Sequence, residues 1–251
     1  MPVTRQAEAS MEKARWSPPM THRAGIPPAD SVGLNGLAAD LLAAQEEERR
    51  RVSRELHDEL GQRLALLEIQ IEQLERELGA DATVHSALES LRGRVGEIAD
   101  DVHRICCRLH PAVLENLGLL IAVRSYCDEY GAWSGIKTRF THLGVPAQLP
   151  PSVSLCIYRV VQEALRNVAR HAHAKRAIVV IRGSESGMQV MVKDNGRGFN
   201  VGQAGRGGGL GLISLSERVK LLGGACWIRS APDRGTCIRA WIPIAREACA
   251  G

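Results

Sequence analysis

No C-x-x-C pair occurs anywhere in the sequence, and its seven cysteines, Cys106, Cys107, Cys127, Cys156, Cys226, Cys237 and Cys249, are odd in number. That spacing argues against a disulfide framework, a zinc knuckle or an iron–sulfur input. Most of the cysteines sit among apolar neighbours, as Cys156 does in Ser-Leu-Cys-Ile-Tyr, and read as small buried hydrophobes. No window approaches the roughly eighteen consecutive apolar residues that a membrane-spanning helix needs. The N-terminus mixes Arg5, Glu8, Glu12, Lys13 and Arg15 without the apolar run of a signal or transit peptide, so the chain reads as cytoplasmic. A strong charge of one sign is missing too. Lys+Arg 32 against Asp+Glu 28 gives +4, with five lysines to 27 arginines, and this balance does not by itself imply a nucleic-acid partner.

What is present is a soluble globular composition, 45% hydrophobic and 24% charged, in 251 residues, enough for one large domain or two small ones. Residues 1 to 36 carry Pro18, Pro19, Pro27, Pro28, Gly25, Gly33 and Gly36 without a sustained period and read as a disordered or loosely ordered tail. From Leu37 and Leu41 the pattern changes. Val52, Leu56, Leu60, Leu64, Leu67, Ile71, Leu74 and Leu78 recur at steps of three and four, which predicts a long amphipathic helix. Gly79-Ala80-Asp81 breaks it. Val84, Leu88, Leu91, Val95, Ile98, Val102, Ile105 and Leu109 then alternate steps of four and three up to Pro111, a coiled-coil seam. Two such helices make an antiparallel hairpin with too little partner surface of its own, and a homodimeric four-helix bundle would bury both stripes.

After Pro111 the grammar switches, and a domain boundary is placed near 111–116, with Pro111 to Leu119 as a hinge. A helix is expected from about 113 to 133, a strand over 136–141, a helix from Pro150-Pro151 to Ala172, and two strands, 177–182 and 188–193, joined by a hairpin through Gly183 to Gly187. A helix over 210–222 and strands over 226–229 and 236–242 complete an α+β two-layer domain. The expected organisation is a tail over 1–36, a helical hairpin over 37–112, the α+β domain over 113–246 and a short tail over 247–251.

Three features of the second domain suggest a nucleotide site. Glu163, Asn167 and His171 stand at i, i+4 and i+8 on one helix face; a carboxylate and an amide so placed suit hydrated Mg²⁺, and an ordinary solvated face has the same pattern. His171 with His173 two residues on offers too few ligands for a metal pair and reads as packing or phosphate contact. The strand ending in Asp194-Asn195-Gly196-Arg197-Gly198 offers an acceptor where glycines let the backbone approach a ligand, although Asp-Asn-Gly is also a common turn. Gly205-Arg206-Gly207-Gly208-Gly209-Leu210-Gly211-Leu212 opens a helix whose free N–H groups face phosphate, or is a flexible linker. Neither Walker spacing nor G-x-G-x-x-G fits it. In the first domain, His57 follows the seam residue Leu56 and should face outward. Gly61 clears space one turn on, where Asp58 would take one ring proton and leave the other nitrogen nucleophilic, although an ordinary surface histidine has the same placement.

Together, in this order, the second-domain motifs resemble the Bergerat ATP-binding fold shared by histidine kinases and gyrase-type ATPases. The string Arg54-Glu55-Leu56-His57-Asp58-Glu59-Leu60-Gly61-Gln62 is similar to the phosphoacceptor helix of sensor histidine kinases of the nitrate/nitrite-sensor subfamily, as are Arg108-Leu109-His110-Pro111 and Tyr158-Arg159-Val160-Val161-Gln162-Glu163. The likeness covers about residues 46–245. It implies catalytic roles for His57, Asp58, Gln62 and Glu163. His57 would take the γ-phosphoryl group, Asp58 would act as base, and Asp58 with Gln62 would serve phosphatase activity. ATP would be bound by Asn167, Arg170, His171, Asp194, Gly196, Gly198, Gly207, Gly209, Leu210, Gly211, Leu212 and Thr236, with Asp194 accepting from the adenine amino group and Mg²⁺ on Asn167 and Glu163. The partners implied are a second copy and a response regulator with a helix-turn-helix output domain, so that this chain itself touches no nucleic acid. Two other readings fit parts of the pattern: a Bergerat-type ATPase or serine kinase, which has no use for the His57-Asp58-x-x-x-Gln62 spacing, and a non-catalytic dimeric scaffold.

Overall fold

A computed structural model of the chain describes residues 31–77, 82–110, 112–200 and 210–244. Residues 1–30 of the tail expected over 1–36, the tail expected over 247–251, the break at Gly79-Ala80-Asp81, Pro111, and Gly205 to Gly209 lie outside the described residues, while residues 31–36 are helical rather than loosely ordered.

The first arm of the hairpin is α1 (Ser31–Leu56), a single wider π turn (His57–Gly61) and α2 (Gln62–Glu77), and the second is α3 (Ala82–Leu109). α1 starts six residues before Leu37, where the apolar period begins. Leu56 and Gln62 both have helical dihedrals, so the helix runs through the π turn unbroken. The sequence accounts for that turn. Val52, Leu56, Leu60 and Leu64 follow at three successive steps of four, and at 3.6 residues per turn those side chains would rotate off the seam. A wider turn absorbs the surplus. The arms run antiparallel: Ser53 Oγ donates to the Cys106 carbonyl at 3.1 Å near the base, and Arg92 Nη1 lies 3.5 Å from Glu75 Oε2 toward the tip. Ile71 and Val95 are buried between them.

The helix expected over 113–133 is two helices, α4 (Ala112–Leu117) and α5 (Leu119–Ser134), because Gly118 takes φ +81° and breaks the path. β1 (Lys137–Leu143) follows, then α6 (Pro151–Asn167) with proline in its first turn, extended by a second π turn (Val168–Ala172) to the expected end at Ala172. β2 (Arg176–Ser184) and β3 (Gly187–Asp194) form the expected hairpin, paired from Ala177↔Asp194 to Ser184↔Gly187. α7 (Leu210–Leu221), β4 (Ala225–Ser230) and β5 (Thr236–Pro243) complete a five-stranded sheet ordered β1-β2-β3-β5-β4, antiparallel except for β1 with β2.

Period-2 alternation sends Val179 and Ile181, Met188, Val190 and Val192, and Ile238, Ala240 and Ile242 to one face of the sheet. There they meet Val123 and Tyr130 of α5, Ile157, Val161 and Leu165 of α6, and Val219 of α7. The result is the expected architecture, a helical region followed by a two-layer α/β domain. The register of β3 with β5 places Asp194 at the end of its strand next to the start of β5, which builds the site.

Candidate functional site

The Asp194 carboxylate is 4% exposed and oriented by two backbone donors: Gly196 N–H donates to Oδ1 at 2.7 Å and Thr236 N–H to Oδ2 at 3.2 Å. Asn195 pins the loop to the start of β2, its Oδ1 accepting from the amides of Lys175 and Arg176 at 3.1 and 2.9 Å. The glycines here have steric reasons. A Cβ on Gly196 would collide with Ala172, and one on Gly198, at φ +59°, with the Ala231 carbonyl. Asp194 faces a cavity of about 280 Å³ that also holds Asn167, His171, Gly198, Leu212 and Thr236, with Phe199, Val192 and Ile238 as apolar walls. A fixed carboxylate acceptor among apolar side chains suits a flat, mostly apolar ligand that presents a hydrogen-bond donor at its edge. The Thr236 hydroxyl is engaged with Ser230 Oγ at 3.0 Å, so the contribution of this residue to Asp194 is its amide.

On α6, Asn167 Nδ2 donates to Glu163 Oε1 at 3.4 Å, and Arg166 Nη2 lies 3.2 Å from Glu163 Oε2. The Glu163 carboxylate rests on the first turn of α7. A Cβ on Gly211 would occupy its place, and the free N–H groups of a helix start favour the negative charge. Glu163, Asn167, Arg170, His171 and Gly211 line a second cavity, about 380 Å³, that meets the first at Asn167 and His171. The pair of cavities thus has an apolar-walled end with a fixed carboxylate acceptor and a strongly basic end suited to phosphates. One carboxylate beside one amide fits Mg²⁺, a hard ion that takes few protein ligands and keeps waters and phosphate oxygens for the rest. Of the other expected residues, Leu210 opens α7, and Gly207 and Gly209 lie outside the described residues.

His57 lies on the outer surface of the hairpin, its side chain 71% exposed, with Nδ1 3.3 Å from Asp58 Oδ1. Gln62, also exposed, opens α2 one turn later, so the three expected residues share an open face. They are not brought together with the nucleotide cavities: His57 lines neither. The basic cavity opens instead onto Gln45 and Arg49 of α1, the latter eight residues before His57, or about 12 Å at 1.5 Å per residue. The sequence reading missed Arg197 and Phe199 in the first cavity, although Arg197 lies within the string that flagged Asp194 and Phe199 directly follows it. It also gave no role to Arg159 beside the basic one, although that residue stands in the Tyr158 to Glu163 string, and it missed Arg218, for which no local signal exists.

Burial raises the thiols of Cys127 and Cys156 to about 12 and that of Cys226 to about 11, as befits packed hydrophobes. Among the described residues no three His, Cys, Asp or Glu side chains group as a metal site, and no helix is long and apolar enough to cross a membrane.

Comparison with known proteins adds the following. Residues 153–246 match the family described as histidine kinase-, DNA gyrase B-, and HSP90-like ATPase, and residues 48–114 match a family described as histidine kinase. The signal transduction histidine-protein kinase/phosphatase DegS of Brevibacillus brevis is 36% identical over 221 residues, 87% of this chain and 57% of that protein. The oxygen sensor histidine kinase NreB of Staphylococcus carnosus is 34% identical over 204 residues, 81% of this chain and 58% of that protein. The sensor histidine kinase MctS of Rhizobium johnstonii is 34% identical over 218 residues, 84% and 46% respectively. The chain thus spans about half the length of the curated relatives it matches.

Proposed function

The chain belongs to the histidine kinases, and from that premise we propose that it transfers the γ-phosphoryl group of ATP to His57 and from there to an aspartate of a response regulator. The observation that carries this reading is the Asp58 carboxylate 3.3 Å from Nδ1 of an exposed histidine. Asp58 accepts the Nδ1 proton, which leaves the Nε2 lone pair outward for in-line attack on the γ-phosphorus. The Nε2–P bond forms as the bond to the β-phosphate bridging oxygen breaks, and ADP leaves. Asp194 accepts from the adenine amino group and Thr236 holds Asp194. Asn167, Arg170 and His171 line the phosphate path, and Gly211 and Leu212 close the site on the α7 side. Mg²⁺, held by Asn167 and Glu163 when bound, supplies neutralisation of charge on the transferring phosphates. Catalysis of this kind is mostly positioning and charge stabilisation.

Residues 37–112 are the phosphotransfer unit in this reading and 113–246 the catalytic unit. The phosphotransfer unit works as a dimer. Leu60, Leu67 and Leu74 on the first arm and Leu91, Ile98 and Ile105 on the second are exposed at intervals of seven, while the alternate rows through Ile71 and Val95 are used up within the chain. A second copy covers the open rows and closes a four-helix bundle. Asp58 and Gln62 also orient water against the regulator's phosphoaspartate, the phosphatase half of the cycle. The regulator carries the helix-turn-helix output, and the reaction draws on cytoplasmic ATP, which places the chain there.

The test is transfer of labelled γ-phosphate from ATP·Mg²⁺ to the wild type and to His57→Gln. Acid-labile, base-stable label on the wild type and none on the variant, with ATP binding intact in both, is the expected result. Equal labelling would remove His57 from the chemistry.

A further inference from the structure

One carboxylate of the helix that leads to His57 is tied to two helices of the ATP-binding layer. Arg159 of α6, 5% exposed, donates from Nε and Nη2 to Glu46 Oε2 of α1 at 3.1 and 2.6 Å. Its Nη2 also donates to the carbonyl of Leu109, the last residue of α3, at 2.7 Å, and its Nη1 to Gln162 Oε1 at 2.6 Å. Arg218 of α7 puts Nη1 2.8 Å from Glu46 Oε1, and Arg49, one turn after Glu46, lies 3.8 Å from the same oxygen. Burial and the neighbouring arginines hold the Arg49 guanidinium below the usual arginine value, a sign of how crowded with positive charge this corner is. Through Arg159 and Glu46, both arms of the hairpin are fastened to the catalytic layer.

A buried ion cluster contributes little net stability once desolvation is counted; what it does well is select one register among several. The register selected here is wrong for transfer. The basic end of the nucleotide site faces Arg49, about 12 Å along α1 from His57, while His57, Asp58 and Gln62 stand open to a partner. We propose that Glu46 is a positioning residue: paired with Arg159 and Arg218, it holds the catalytic layer in a resting register, and phosphoryl transfer to His57 proceeds only from molecules in which this clamp has opened. The proposal rests on His57 being the phosphoacceptor. It implies that Glu46 sets the population of transfer-competent molecules and leaves the nucleotide site itself unchanged.

The experiment uses the full chain. Glu46→Gln keeps the shape of the side chain and removes its charge, Glu46→Asp keeps the charge, and Arg218→Gln removes one partner from a less buried position. For each, the rate of phosphohistidine formation at saturating ATP is measured beside the ATP dissociation constant and hydrogen exchange over residues 42–50. Glu46→Gln should label about tenfold faster, with exchange over 42–50 increased and ATP affinity within about twofold of wild type; Arg218→Gln should fall between, and Glu46→Asp should stay near wild type. Equal labelling rates in wild type, Glu46→Gln and Arg218→Gln, or faster exchange without faster labelling, would overturn the clamp. Should Glu46→Gln fail to fold, the Arg218→Gln rate decides alone. Absence of label on every chain, wild type included, would sink the phosphoacceptor reading instead.

Discussion

In the α/β layer Ile157, Leu165, Ile181 and Ile242 are fully buried, whereas in the helical hairpin Leu67, Leu91 and Ile98, equally apolar and just as regularly spaced, are about half exposed. The layer closes its own core because a sheet face and three helices meet as surfaces. Each arm of the hairpin carries two apolar rows and finds a partner in the chain for one of them. The chemistry divides along the same line. Asp194, Asn167 and Glu163 are set in place by hydrogen bonds within the layer. His57 and Asp58 have little besides each other and wait for something to come to them. In the proposed function these are a preformed nucleotide site and an open phosphoacceptor face, which a group-transfer cycle with a moving donor and an exchangeable acceptor calls for.

The largest effect that would sharpen this contrast is on assembly. Ile98→Glu puts a charge in the open row, where a second copy would bury it twice in a symmetric dimer. The dimer dissociation constant should rise at least about 100-fold. The control is Leu143→Glu, at a still more exposed leucine on the sheet edge, which should change neither mass nor melting. Light scattering across a dilution series reads both. A dimer that survives Ile98→Glu would break the comparison, since the open rows would then not be the interface.

The next effect, in the layer, is smaller and of another kind. Asp194→Asn leaves one side-chain acceptor where two held Gly196 N–H and Thr236 N–H and, in the proposed function, receive the adenine amino group. ATP affinity should fall about 30-fold by calorimetry, the cost of about one charge-assisted hydrogen bond, with the oligomeric state unchanged. An unaltered affinity would move the purine out of this cavity.

How much of this was legible in the sequence follows the same division. The strands, the helix from Pro151 to Ala172 and the position of Asp194 could be read because period-2 and period-3.6 patterns and the Asp-Asn-Gly-Arg-Gly string are local. The hairpin could be read as an amphipathic pair, but periodicity reports which residues are apolar and not which of two rows finds its partner within the chain. The π turn at His57 was encoded in the three successive steps of four from Val52 to Leu64, a drift that a count of apolar positions hides. Gly118 ended a helix that its neighbours would have continued. Gly211 read as a phosphate contact, and it turns out to make room for the Glu163 carboxylate. Nothing local could announce that Glu46 meets Arg159 and Arg218, because ion pairs across that span depend on how the hairpin and the layer meet.

The smallest effect separates the two regions by pH. The raised thiols of Cys127, Cys156 and Cys226 and the phenol of Tyr130, pushed up to about 12, all belong to the layer, and burial is the first cause in each. In the unfolded chain the thiols ionise near their ordinary value of 9.0, while the folded layer keeps them protonated. As pH rises through that window, the unfolded state releases protons the folded state retains, so stability is full below about 9 and declines between about 9 and 12. The three layer thiols together should cost about 1 kcal/mol by pH 9. Urea unfolding followed by the fluorescence of Trp133, Trp227 and Trp241 should therefore shift to lower urea between pH 8 and 9. Helicity lost from the hairpin should move less, because its thiols, Cys106 and Cys107, are displaced in the same direction but fewer in number. A tryptophan midpoint that stayed flat over this range would mean that water reaches the thiols of the layer, and that its core is no more closed than the hairpin's.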